Sequence, residues 1–397
     1  MSSKGEVLQG ALELTNTLQQ HAEEPLTESE RVSALKTARG LVASLEKTED
    51  AVLKLGYTPL VWMVIRIFVE LNIFSILSEK DEISVRELAQ RTGADELLLR
   101  RLFRVLTASN YVAEKGPGIY GPTKWTEHLS KRTTEGTVRW IYDIPMLTTA
   151  LAPSWFKQKG HHNPLDPKDG AFHNAFDAKG IEIFPWLAKP ENKRHWDDAN
   201  TYFEGDRGSR PSWVTWFPVR EKLLSGDIDS EAPLLVDVGG GRGHDITEFE
   251  QQFPDVAGRL VLQDQPPVLD TATSLSSRIE KHGLNFFVEA PVKDARIYFM
   301  KFIIHDYDDE KCLQILKNVK ASMKKGHSYL VINDFILPEV GCELLPAMWD
   351  LLMMTVVASM ERSESQWKSL LEAAGLAIEG FYQPPGDGQG IVVATLK

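Results

Sequence analysis

The segment Leu234–Phe249, LLVDVGGGRGHDITEF, constrains the fold more than any other stretch of the chain. A strand-length apolar run enters four closely spaced glycines, Gly239, Gly240, Gly241 and Gly243, and leaves in a helical pattern. A buried strand, a tight glycine turn and a helix, in that order, open a parallel α/β sheet. The alternation continues downstream. RLVLQD, ARIYFMKFI, SYLVINDFIL and GIVVATL read as strands, and DDEKCLQILKNVKASMKKG and SQWKSLLEAAG as helices. The expected class is α/β, with a Rossmann-like, doubly wound, mostly parallel sheet over residues 226–397.

The remaining sequence has a different texture. Residues 1–130 read as helical. Within them, residues 83–125 hold a short helix, a break at Gly93, a second helix capped by Asp95 and a hairpin around Gly116-Pro117-Gly118. Helix–turn–helix plus hairpin is a winged-helix arrangement, which serves either DNA or protein contacts. Residues 131–225 are rich in tryptophan, phenylalanine and proline. They read as a helical connector that lines an apolar substrate pocket.

Charge decides between the two uses of the winged helix. The 397 residues carry a formal charge of −12, and residues 1–130 hold 15 basic against 18 acidic side chains. Nucleic-acid binding needs a basic surface, so no nucleic-acid partner is expected. Tyr57–Leu77 is long and apolar, but Arg66 and Glu70 interrupt it, so a buried or subunit-contact helix is expected and no membrane span. The start MSSKGEVLQG lacks the apolar core of a signal peptide, and Cys312 and Cys342 cannot form a disulfide scaffold. Both point to a cytoplasmic protein. No HxxxH or CxxC spacing occurs, so no metal site is expected.

The glycine loop also limits the ligand. Its pattern is not GxGxxG, because His244 stands where the third glycine would fall, and the P-loop lysine is absent. The loop suits a nucleoside without a pyrophosphate. Asp264 ends the next strand, where an acid suits a ribose diol. Asp237, just before the glycines, suits an ammonium group. A nucleoside bearing an amino acid meets all these conditions, and S-adenosyl-L-methionine is such a molecule. Transfer of its methyl to a hydroxyl requires a base for the hydroxyl proton. His305 lies after a strand, at the sheet end that binds ligands, and a histidine is a suitable base. Asp334 and Glu361 are both candidates for the carboxylate on its second ring nitrogen.

These residues together resemble plant caffeic-acid-type and fungal class I O-methyltransferases of natural-product pathways, over roughly residues 50–397. VDVGGGRG resembles the cofactor motif. LVLQDQPPV, with Asp264 and Gln265, resembles the ribose segment. FFVEAPVKDARIYFMKFIIHDYDDEKC resembles the segment that carries adenine contacts and the base, and MERSESQWKSLLEAAGL the closing motif. The resemblance implies that Asn285, Phe286 and Lys301 bind cofactor and that Asp334 and Glu361 flank His305. It further implies that the winged-helix region is a homodimerisation domain. Asn285 and Asp334 depart from the acid and the glutamate more usual at those positions. The helix Ala347–Met360 resembles the acceptor-site helix, so Trp349, Met353 and Met354 are expected against substrate, with Tyr142 and Met146 as further candidates. The expected function is O-methylation of a phenol or enol on an aromatic or polyketide-like small molecule. The alternative on the same fold keeps the cofactor intact and catalyses dehydration or pericyclic cyclisation.

Overall fold

The computed structural model describes residues 4–21, 24–205, 210–226 and 229–397. The first three residues of the start, read above as non-secretory, lie outside the described residues. The chain forms two compact units: Met1–Ala150 with Phe184–Asp206, and Leu151–Ile183 with Arg207–Lys397. The stretch 131–225, read above as one connector, contributes to both. Its helix Lys193–Gly205 packs along Arg132–Ile141 within the first unit, where Arg139 meets Asp198 at 2.7 Å.

The first unit contains the expected winged helix. Ser84 and Asp95 cap the helices Val85–Thr92 and Glu96–Ala108 by accepting backbone N–H groups of Glu87 and Leu98. Gly93 turns the chain between them at φ +74°. The hairpin Ala113–Gly116 with Ile119–Gly121 gains Ile83–Ser84 as a third strand. Phe103 stacks on Tyr120 at 3.8 Å, joining helix to wing. The helix Thr48–Glu70 is long and apolar enough, by length and composition, to cross a membrane. Its later residues Val64, Ile65, Phe68 and Val69 are buried in this unit's core, and Arg66 pairs with Glu70 at 2.8 Å and Asp143 at 3.0 Å.

The second unit is built on a seven-stranded sheet. Its strands are β1 (Pro233–Val238), β2 (Arg259–Asp264), β3 (Ile279–Gly283), β4 (Ile297–Lys301), β5 (Tyr329–Asn333), β6 (Leu376–Tyr382) and β7 (Ile391–Leu396). The order across the sheet is β6-β7-β5-β4-β1-β2-β3. β1 to β5 run parallel, whereas β7 is antiparallel to both β5 and β6. The expected mostly parallel sheet is therefore present, with β3 and β6 as two strands the sequence reading lacks. Order reverses between β1 and β4, and ligands of such sheets bind beyond the strand ends at that switch point. Helices α1 (His244–Gln252), α2 (Asp309–Ser322), α3 (Leu344–Val357) and α4 (Glu364–Ala373) complete the parts used below. The sheet has a core on each face. One gathers Tyr298, Met300 and the α2 stripe Cys312, Ile315, Leu316 and Val319; the other gathers Trp213, Phe249 and Phe299.

Candidate active site

The glycine loop leaves β1 at the switch point. Gly239 has φ +74°, and a Cβ there would come 2.6 Å from Ile303 Cδ1. The loop therefore lies against the turn that carries His305. Gly241 has φ +59° with open space where a Cβ would stand, and its N–H donates to Asp264 Oδ2 at 2.8 Å. Asp264 Oδ1 accepts the Gln265 N–H at 2.7 Å, and burial pushes this carboxyl up. Each oxygen keeps further lone-pair capacity, the arrangement a vicinal diol needs. Asp237 is buried at the end of β1. The Phe286 ring borders Gly239 and meets Phe287 and Tyr307 at 4.9 and 6.2 Å. Asn285 uses its side-chain oxygen to accept the Phe287 N–H at 3.2 Å. Lys301 Nζ lies 3.6 Å from Asp245 Oδ1, in the first turn of α1. The Gln265 side chain is exposed.

His305 sits in a short 3₁₀ turn, Ile304–Asp306, beyond the end of β4. The turn is anchored from below. Arg362 donates to the carbonyls of Ile304 and Tyr307 at 3.0 and 3.1 Å, and the Cys312 thiol to the same two at 3.2 and 3.3 Å. His305 and Glu361 are buried, and Nδ1 meets Glu361 Oε1 at 2.6 Å. That separates the two carboxylate candidates. Asp334 makes no hydrogen bond to the ring; its Oδ1 accepts the Phe302 N–H at 2.7 Å, holding Phe302 at φ +53°. The second neighbour of the ring is Asp306, whose Oδ1 lies 3.5 Å from Nε2. The sequence reading missed Asp306, although adjacency to His305 was the signal. It also missed Phe302, whose left-handed backbone no motif announces.

The cluster is strongly acidic. Burial by itself pushes the His305 imidazolium down, but Glu361, Asp306 and Asp334 outweigh it and lift the pKa to about 10. Burial pushes the carboxyls up, Asp306 to about 7 and Asp334 to about 6. Asp334 Oδ2 and Glu361 Oε2 are buried without a hydrogen-bond partner. Three carboxylates around one histidine leave an excess of negative charge, which suits a cationic ligand. Together with open Gly241, Asp264 and Phe286, this donor set fits a nucleoside that carries a sulfonium.

Trp349, on α3, joins this site through Phe302. The Phe302 ring stacks on His305 at 5.0 Å and on Trp349 at 5.7 Å, nearly parallel to the indole. The indole N–H of Trp349 is buried and unpartnered. Met353 and Met354 are half-buried on the same helix. Tyr142 and Met146 belong to the first unit, in the π-helical turn Tyr142–Met146. Among the described residues no cluster of histidine, cysteine and carboxylates could hold a metal ion.

Sheet order, glycine loop and strand-end acid define a methyltransferase fold. Comparison with known proteins narrows that class. The O-methyltransferase domain profile matches residues 218–377, and the O-methyltransferase dimerisation domain profile matches residues 57–132. O-methyltransferase asqD of Emericella nidulans is 35% identical over 340 residues, covering 85% of this chain and 87% of that protein. The structure of the LepI complex with SAM superposes with a TM-score of 0.89 at 28% identity, covering all of both chains. A structure described as "A Pericyclic Reaction enzyme" gives 0.90 at 28%, covering 98% of this chain and 100% of that one. The chain belongs to the class I, plant and fungal type O-methyltransferase family.

Proposed function

We propose that this protein methylates a phenol or enol hydroxyl of an aromatic or polyketide-like secondary metabolite, with S-adenosyl-L-methionine as cofactor and His305 as base. The observation that carries the reading is the 2.6 Å contact between His305 Nδ1 and Glu361, in a turn packed against the glycine loop. The contact has the Nδ1–H donate to the Glu361 carboxylate and leaves Nε2 free of that bond to receive a proton. The cofactor supplies an electrophilic methyl on positively charged sulfur. Asp264 would hold its ribose, Phe286 its adenine, and Asp237 its ammonium group. His305 Nε2 would take the hydroxyl proton, and Glu361 would stabilise the resulting imidazolium. A positive charge beside the cluster offsets part of the carboxylate field and brings His305 down from its high pKa, so the ring can act as a base.

Trp349, Met353 and Met354 would face the acceptor, with methionine adapting to an irregular shape. The dimerisation domain supports a homodimer. Leu53, Leu55, Tyr57 and Leu60 are exposed on the helix that runs into it and would meet the second copy.

The test is incubation with S-adenosyl-L-methionine and a panel of phenols and enols, followed by mass analysis. Methylated product with matching S-adenosylhomocysteine is expected. The second reading is a dehydration or pericyclic reaction without methyl loss. A histidine of pKa about 10 is a proton donor at neutral pH, which favours acid assistance. Product with unchanged mass, or lighter by one water, with the cofactor intact, would replace the first reading by the second.

A further inference from the structure

The parallel ladder of β4 and β5 ends at the pair Lys301 and Asn333. Phe302 and Asp334 are the next residues along, where another backbone pair would form. Phe302 instead turns left-handed, at φ +53°, and its N–H donates to Asp334 Oδ1 at 2.7 Å. Asp334 is fully buried, and its carbonyl accepts the Gly390 N–H at 2.9 Å, so this acceptor is itself held in place. A left-handed backbone is rare in a bulky residue, because Cβ crowds the carbonyl that follows. Such a setting persists only where the surroundings enforce it, and it gathers at working sites. A short bond from a backbone N–H to a buried carboxylate is a strong constraint of that kind.

The direction of a side chain follows its backbone angles, so the left-handed setting decides where the ring goes. The Phe302 ring lies against two others. It stacks on His305 with centroids 5.0 Å and planes 27° apart, and on Trp349 of α3 at 5.7 Å and 5°. Glu361 holds the imidazole at one atom, Nδ1. A single hydrogen bond leaves a ring free to swing about that contact. A second ring packed on its face removes the swing and fixes where Nε2 points. The same aromatic face attracts a cation, so it favours the imidazolium that forms when the base takes a proton.

We infer that Phe302 is a positioning residue of the reaction: Asp334 sets its ring through the Phe302 N–H, and the ring aims His305 Nε2 at the acceptor hydroxyl. The inference rests on the reading of His305 as base. It gives Asp334 a part different from that of Glu361, acting on the histidine through a backbone bond and a ring and not by contact with the imidazole.

The test is NMR of ring-labelled histidine at about pH 6, far enough below the His305 pKa of about 10 that loss of one carboxylate leaves the ring protonated. The His305 signal is identified by its absence in His305→Asn. In the wild type its ring protons are expected upfield, under the Phe302 face. Phe302→Leu keeps an apolar side chain and is expected to abolish that shift. With the acceptor that the panel above returns, it is expected to lower kcat about tenfold, with acceptor KM and S-adenosylhomocysteine affinity within about threefold. Asp334→Ala leaves Phe302 in the chain, removes its anchor, and is expected to do the same. Asp334→Asn keeps an oxygen for the Phe302 N–H and is expected to recover the shift and about fivefold of the turnover lost in Asp334→Ala. In the double variant, Phe302→Leu with Asp334→Ala, kcat is expected to fall no further than in the worse single variant. An unmoved His173 signal shows that each variant is folded. A His305 signal unmoved in Asp334→Ala overturns the inference. So does a shift lost equally in Asp334→Asn, full turnover in Phe302→Leu, or losses that multiply in the double variant. No methylated product from the panel, or full turnover in His305→Asn, removes the base reading and the positioning role with it. The histidine signals then decide by themselves whether Asp334 sets Phe302 on His305.

Discussion

His173 and His305 are each 4% exposed, in the same unit, and their neighbours make them opposites. His173 closes a loop against backbone. Its Nδ1 accepts the Gly170 N–H at 2.8 Å, so Nε2 carries the proton and donates to the Ile181 carbonyl at 2.8 Å. Both nitrogens are used, no carboxylate bonds the ring, and burial pushes the imidazolium down. His305 has the same burial but three carboxylates, and they raise it to about 10. Burial penalises the charged ring in both. What separates a structural histidine from a reactive one is the charge set around it and a nitrogen left for chemistry.

The largest expected effect breaks this contrast directly. His305→Asn should lower turnover by about 10³-fold while S-adenosylhomocysteine affinity stays within about threefold. His173→Gln should leave turnover within about threefold and lower the unfolding midpoint instead. Equal loss of turnover in the two variants, measured by product formation, would erase the distinction. Glu361→Gln comes next. It removes a charge that raises His305, so turnover should fall by about 10²-fold, and the acid limb of the kcat/KM pH profile, set by deprotonation of the base, should move to lower pH. A profile that stays in place would show that Glu361 does not set the histidine.

Stability against pH sharpens the comparison, because the two histidines act with opposite sign. The folded pKa of His305 is raised, so its contribution is complete below the unfolded value near 6.5 and is lost as pH rises through about 10. Asp306 and Asp334, also raised, lose theirs as pH rises from about 4 to about 7, and Cys312, raised to about 12, loses its own only above about 9, so the fall between pH 7 and 9 is left to His305. The folded pKa of His173 is lowered, so its contribution is present above 6.5 and is lost as pH falls below that. Thermal midpoints across pH should therefore lose their fall between about pH 7 and 9 in His305→Asn and part of their acid fall in His173→Gln. The smallest effect is expected from Trp349→Phe, which keeps the stack on Phe302 and removes one buried N–H. Acceptor KM should rise about threefold, with kcat unchanged; a large fall in kcat would place Trp349 in the proton path.

Legibility along the chain follows the range of the forces involved. The glycine loop, Asp264 and the helix caps were readable because they answer local backbone demands: a positive φ, an exposed strand end, an orphan N–H. β3 was missed because IEKHG, at the sheet edge, is mostly polar. β6 was missed because its pairing shifts between Ile378 and Gly380, which breaks the two-residue alternation. The stretch 131–225 read as one connector because aromatic content does not say which surface a helix will cover. Arg139 and Asp198, 59 residues apart, meet in the first unit, while Trp213 packs in the second.

The sequence by itself determined the sheet class, the glycine turn that leaves its first strand, and a histidine just beyond a strand end. Each follows from residues adjacent in the chain. Tertiary structure decided that Glu361 and not Asp334 holds His305, that Asp306 joins them, and that Arg210, Ser212 and Trp213 line one pocket with Lys301. Those outcomes depend on side chains that lie up to about 90 residues apart in sequence, and hydrogen bonds and desolvation act over a few ångströms of space. Only the packed sheet sets those distances.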